Sequence, residues 1–128
     1  VPGAVFEAMG EERVFAFAEA FYVRLGRSRA AHLFPSDTEQ LRQASHKTGA
    51  LLVFLFGGPP RYQQLYGPPR LRMRHLPFEI DEAARLEWVR CFRETLAEAP
   101  ERFGMPAEHV AKVDAFFDAF SRWMVNKA

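Results

Sequence analysis

Apolar side chains recur at helical spacing along most of the chain, and no stretch alternates in the two-residue rhythm of a strand. From Glu11 to Leu25, the residues Val14, Ala18, Phe21, Tyr22 and Leu25 fall on one helical face. Carboxylates in the first turn and Gly26 just past the end bracket this helix. Phe15 and Phe17 lie on its other sides, so it is expected to be covered on more than one flank. A short helical piece over residues 3–10, ending at Gly10, precedes it. Phe34-Pro35-Ser36-Asp37 reads as a turn whose last residues cap the next helix. That helix, from about Thr38 to Phe56, carries Leu41, Ala44, Thr48, Leu51, Leu52 and Leu55 on one face. Gly49 interrupts it at a cost of about 1 kcal/mol against alanine, and Gly57-Gly58 ends it.

The rhythm then breaks. Five prolines and three glycines between Gly57 and Pro77 exclude long regular structure there. Helical spacing resumes after Asp81, a cap, and runs to about Ala99 with Trp88, Cys91, Phe92 and Thr95 as its stripe; Pro100 is expected to end it. A last helix opens at Pro106 as its first residue, with Val110, Val113, Phe117, Phe120 and Met124 facing inward. The pattern is all-α: four substantial helices, with a long loop before the third, packed as a simple bundle or as crossed pairs around a ligand. A length of 128 residues fits a single domain over 1–128.

Composition narrows the picture. Thirteen phenylalanines and 14% aromatic residues imply a ring-rich core or a pocket for something flat and apolar. A net charge of +1 argues against a nucleic-acid binder. With Cys91 as the only cysteine, no intrachain disulfide is possible and a reducing compartment fits. The longest apolar run, residues 50–56, falls far short of the roughly 20 residues of a membrane span. With no signal pattern at Val1-Pro2-Gly3, a cytoplasmic location is expected.

The candidate chemistry lies in Leu71-Arg72-Met73-Arg74-His75-Leu76-Pro77-Phe78. Pro77 stops any helix just after His75, and an imidazole held at such a turn is a good ligand for a metal, haem iron included. Taken alone, His75 is more often an ordinary satisfied histidine. Arg61, Arg70, Arg72 and Arg74 follow one another with no carboxylate between them. They suit a solvated basic loop, or a non-haem helical interaction protein that binds anionic partners through residues 61–74.

The ordered set of motifs is more specific. Phe54-Leu55-Phe56-Gly57-Gly58-Pro59-Pro60-Arg61-Tyr62 is followed by Gly67-Pro68-Pro69-Arg70-Leu71-Arg72-Met73-Arg74-His75-Leu76-Pro77-Phe78-Glu79-Ile80. With Phe21-Tyr22, Phe34-Pro35, Trp88-Val89-Arg90-Cys91 and Met124-Val125-Asn126, these resemble the truncated haemoglobins of group II over nearly the whole chain. The resemblance implies a truncated globin fold, two helices crossed over two around haem b (iron protoporphyrin IX), with a short proximal turn. It puts His75 on the iron, Phe34 against the haem, and Tyr22 and Trp88 at the distal, catalytic positions as hydrogen-bond donors. Ala44 then stands at the distal gate with Thr48 one turn further in, and Leu52 and Phe78 are further haem contacts. Tyr62, Arg72 and Arg74 fall at propionate-binding positions, and Lys47 where a basic side chain is common. His46 lies roughly 200° around the helix from Ala44 and should point away. The segment between Phe34 and Gly57 is slightly longer than usual, however, and a register change would bring Gln43 or His46 inward.

What the resemblance implies for function is reversible binding of O2 and other diatomic ligands. Two distal donors would slow oxygen release, so oxygen transport gives way to a redox role, in NO dioxygenation or peroxidase-like use of hydrogen peroxide. Either needs an electron-donating reductase as partner. Enzymatic status stays open, as does the choice between monomer and homodimer; neither nucleic acid nor membrane is expected.

Overall fold

The computed structural model describes residues 4–68 and 80–126, and in them every regular element is helical. In order these are α1 (Ala4–Met9), α2 (Glu11–Leu25), a 3-10 turn (Ala31–Leu33), α3 (Thr38–Leu55), α4 (Arg61–Tyr66), α5 (Glu82–Arg102) and α6 (Ala107–Met124). Helix α2 packs on α3, α5 packs on α6, and the two pairs meet chiefly where α2 lies against α5. This is the expected arrangement of two helices over two. Among the described residues no helix is long and apolar enough to cross a membrane.

Both predicted caps are in place. The Asp37 carboxylate accepts the Gln40 amide at 3.0 Å, and Asp81 accepts that of Ala84 at 2.8 Å, each satisfying a donor that a helix start leaves unpaired. Three boundaries differ from expectation. Helix α5 runs through Pro100 to Arg102, because a proline in the last turn forfeits one amide bond while Phe103 still donates to the Ala99 carbonyl at 2.9 Å. Pro106 is the residue before α6, not its first. The section after Gly58 also contains the short helix α4, whose first turn closes from the Gln64 amide to the Pro60 carbonyl at 3.0 Å.

Rings fill the seam between the pairs. Phe92 of α5 and Phe117 of α6 stack at 3.8 Å, while Phe17 and Phe21 of α2 each meet Phe92 edge-on at 5.3 Å. T-shaped and stacked contacts of this kind each add about 0.5–1.5 kcal/mol beyond burial. Polar ties join the pairs to each other and α5 to α6. Arg24 of α2 donates to Thr95 at 3.0 Å and pairs with Glu98, both on α5. Arg85 of α5, only 5% exposed, is held by Glu82 and reaches Asp118 and Ser121 of α6, each at 3.2 Å. A buried guanidinium is tolerable only with such partners.

Helix α3 turns two faces inward. Ser45, Gly49, Leu52 and Val53 are buried, and a β-carbon at Gly49 would lie 2.4 Å from the Phe15 ring of α2. The glycine therefore lets the Phe15 ring lie against the α3 backbone, and its helix penalty is offset by packing. At the end of α3, Gly57 takes φ 100° and Gly58 lies under the Phe6 ring, where a β-carbon would come within 2.7 Å. Gly49→Ala is expected to lower stability by about 1 kcal/mol net. Overpacking costs about 1–3 kcal/mol, against roughly 1 gained in helix propensity. A urea midpoint at or above that of the parent would show that the Phe15 ring yields freely.

Candidate functional site

The other face of α3, carrying Ala44, Thr48, Leu51 and Leu55, is only half-buried, because it borders cavities. An outer cavity of about 180 Å³ is walled by Tyr22, Ala30, Phe34, Ala44, Ile80 and Trp88, among others. An inner one of about 60 Å³ is walled by Thr48, Leu51, Leu52, Phe117 and Phe120 and again by Tyr22 and Trp88. Both are mainly apolar. The two residues they share are the two candidate donors.

Tyr22 projects from α2 with its hydroxyl 2.6 Å from Thr48 Oγ1 on α3, and its ring meets Phe34 edge-on at 5.6 Å. Burial pushes the phenol above its ordinary pKa, the Thr48 bond offsetting part of the shift. Tyr22 is thus a neutral O–H donor rather than a phenolate. Thr48 Oγ1 and a bound ligand therefore compete for the Tyr22 proton. Trp88 projects from α5 against Phe117, at 5.1 Å. Its indole Nε1 is buried and has no hydrogen-bond partner among the described residues. A buried N–H left unpaired costs about 1–3 kcal/mol, and such an orphan calls for a ligand acceptor.

The other candidates divide. Phe34 and Ala44 line the outer cavity, and Thr48 and Leu52 the inner one. Tyr62 is buried in α4, its ring 5.3 Å from that of Tyr66. Lys47 is exposed, with Nζ 5.5 Å from the centre of the Tyr66 ring, beside a surface hollow that also takes Gln43 and His46. His46 stacks on Phe15 at 4.6 Å, and its Nδ1 lies 3.0 Å from the Tyr66 hydroxyl, so it points away from Tyr22 and Trp88. Arg72, Arg74, His75 and Phe78 lie outside the described residues. Arg61 is not a free loop cation: it bonds Glu11 at 2.6 Å, on the first turn of α2. That contact weakens the case for a basic binding loop over 61–74.

One contributor was given no role in the sequence. Asn126 accepts the Ile80 amide at 2.8 Å through its side chain, and its own amide donates to the Ile80 carbonyl at 2.9 Å. This two-way clip fixes the start of α5 and the Ile80 wall of the outer cavity. Met124-Val125-Asn126 was the only signal, and a motif does not show what it grips.

The arrangement fits haem b. The cavities are apolar and ring-lined, as a macrocycle requires, and the donors are neutral groups placed to meet a small polar ligand. Among the described residues no group of three or more His, Cys, Asp or Glu is placed to hold a metal ion by itself, whereas haem iron needs a single imidazole from the chain.

Comparison with known proteins agrees. The family described as Bacterial-like globin matches residues 4–125. The group 2 truncated hemoglobin YjbI of Bacillus subtilis (strain 168) is 33% identical, over 97% of this chain and 89% of its own. Hell's gate globin IV, in a phosphate-bound crystal structure, superposes with a TM-score of 0.90 at 31% identity, over 98% of this chain and 76% of its own. The truncated oxygen-avid haemoglobin from Bacillus subtilis gives 0.83 at 30% identity, over 94% and 98%.

Proposed function

The chain belongs to the bacterial-like globin family, and on that premise we propose that it uses Tyr22 and Trp88 to retain a polar diatomic ligand over haem b for redox chemistry. Haem b and small gaseous ligands such as O2 come with the family. The retention and the redox role are the proposal. When bound, the haem would supply an iron that binds small ligands and changes between ferrous and ferric states.

The observation that carries the reading is the orphaned Trp88 Nε1, on the same cavity walls as the Tyr22–Thr48 pair. Donors aimed at a place where negative charge builds up stabilise it without reorganising, and count for most where water is excluded. The Tyr22 hydroxyl and the Trp88 N–H would both favour retention of a ligand that carries partial negative charge. A relative described as oxygen-avid is consistent with that. His75 would hold the iron. Its assignment is supported by the other three histidines: His32 is exposed, His46 is engaged with Phe15 and Tyr66, and His109 lies in the first turn of α6.

Phe34, Ala44, Thr48 and Leu52 would line the haem cavity. Lys47, Tyr62, Arg72 and Arg74 would meet the propionates, where exposed charges orient the cofactor more than they hold it; most affinity comes from apolar burial. Slow release disfavours simple oxygen delivery and suits a chain that keeps O2 until a second reactant arrives, with a reductase restoring the ferrous state. The test is stopped-flow mixing of the reduced, haem-loaded protein, equilibrated with O2, against NO, with hydrogen peroxide in parallel. Ferric protein with matching nitrate is expected. If NO merely displaced O2 and no nitrate formed, dioxygenation would be excluded.

A further inference from the structure

Both tryptophans of the chain lie on one line of aromatic rings. Trp88 is at the cavity; its ring is 6.0 Å from Phe120 of α6, and Phe120 is 6.1 Å from Trp123 one turn further on. Trp123 is 53% exposed. Neither the core nor the cavity uses it, and an indole left half in water gives up burial that α6 could have had. Indole is among the side chains most easily oxidised by one electron. The phenyl ring between the two is not oxidised, but it fills the gap with π-density and shortens the step.

We infer that Trp123 is a surface site where a reductant too large for the cavity, a phenol carried on a polymer, delivers electrons to the haem pocket by way of Phe120 and Trp88. The inference rests on the peroxidase-like reading, with hydrogen peroxide as oxidant. Reduction of one peroxide to two waters takes two electrons and two protons. Each electron leaves Trp123 inward and its indole proton passes to solvent. One phenol then returns an electron and a proton, leaving as a phenoxyl radical, so two phenols are consumed per peroxide.

The route is testable without peroxide chemistry. With zinc protoporphyrin in place of haem, illumination in the presence of a soluble electron acceptor generates the oxidising hole inside the pocket. A nitroso spin trap and peptide mapping then locate the radical. The trap adduct is expected on Trp123, to be lost in Trp123→Phe and to fall in Phe120→Leu. An adduct confined to tyrosines, or one on Trp123 unchanged by Phe120→Leu, overturns the route. In the haem-loaded protein with peroxide, Trp123→Phe is expected to lose oxidation of a polymer-linked phenol and to keep that of iodide, which is small enough to enter. Loss of both overturns the surface site. Peroxide left unconsumed while the zinc form still labels Trp123 would remove the peroxidase-like reading and support the electron route.

Discussion

His75→Gly is expected to abolish five-coordinate ferrous haem, and added imidazole to restore it. The glycine leaves a space that a free ring can fill, so restoration separates loss of a ligand from loss of the fold. Resonance Raman and optical spectra of the reduced protein read the ligation directly. The remaining histidines make the outcome decisive. His46 would have to leave both the Phe15 ring and the Tyr66 hydroxyl to reach the cavities. His109 would have to cross from the first turn of α6. His32 sits exposed in the 3-10 turn, next in sequence to the outer cavity's Leu33 and Phe34. An unchanged spectrum would move the ligand to one of these three.

The helices were legible because their signals are local. Asp37 and Asp81 cap where a cap residue precedes an apolar stripe, and Gly57-Gly58 ends α3. Period alone cannot tell a face that packs on a neighbour from one that borders a cavity, since both are apolar. On α3 it picked out Ala44, Thr48, Leu51 and Leu55, which border the cavities. It passed over Ser45 and Gly49, which are buried, Gly49 against the Phe15 ring of α2. Gly49 read as a flaw for the same reason: propensity is a property of one helix, close approach of two. Arg85 reads as a surface cation until Asp118 and Ser121 arrive from α6. Of the site, the aromatic positions came from motifs. The Tyr22–Thr48 bond joins residues 26 apart on two helices, and it depends on how α2 crosses α3, which no local pattern encodes.

That bond decides how the distal donors should respond to mutation. Tyr22→Phe combined with Trp88→Phe is expected to raise the O2 dissociation rate at least about tenfold. A net hydrogen bond contributes about 0.5–1.5 kcal/mol, and about 1.4 kcal/mol is a factor of ten, so losing both donors suffices at about 1 kcal/mol each. Phenylalanine keeps the ring contacts of Tyr22 with Phe34 and much of those of Trp88 with Phe117, which confines the change to the donors. Thr48→Val should act in the opposite sense. A phenol is a better donor than an alcohol, so without ligand the Tyr22 proton is directed at Thr48 Oγ1, 2.6 Å away. Valine removes that competing acceptor at similar volume and leaves the phenol free for the ligand, slowing release. Opposite signs at two positions in contact are hard to obtain from a general loosening of the pocket, which would speed release in every variant. Stopped-flow displacement of O2 by carbon monoxide in the three proteins gives the rates. Equal rates in the parent and the double variant would remove Tyr22 and Trp88 as donors.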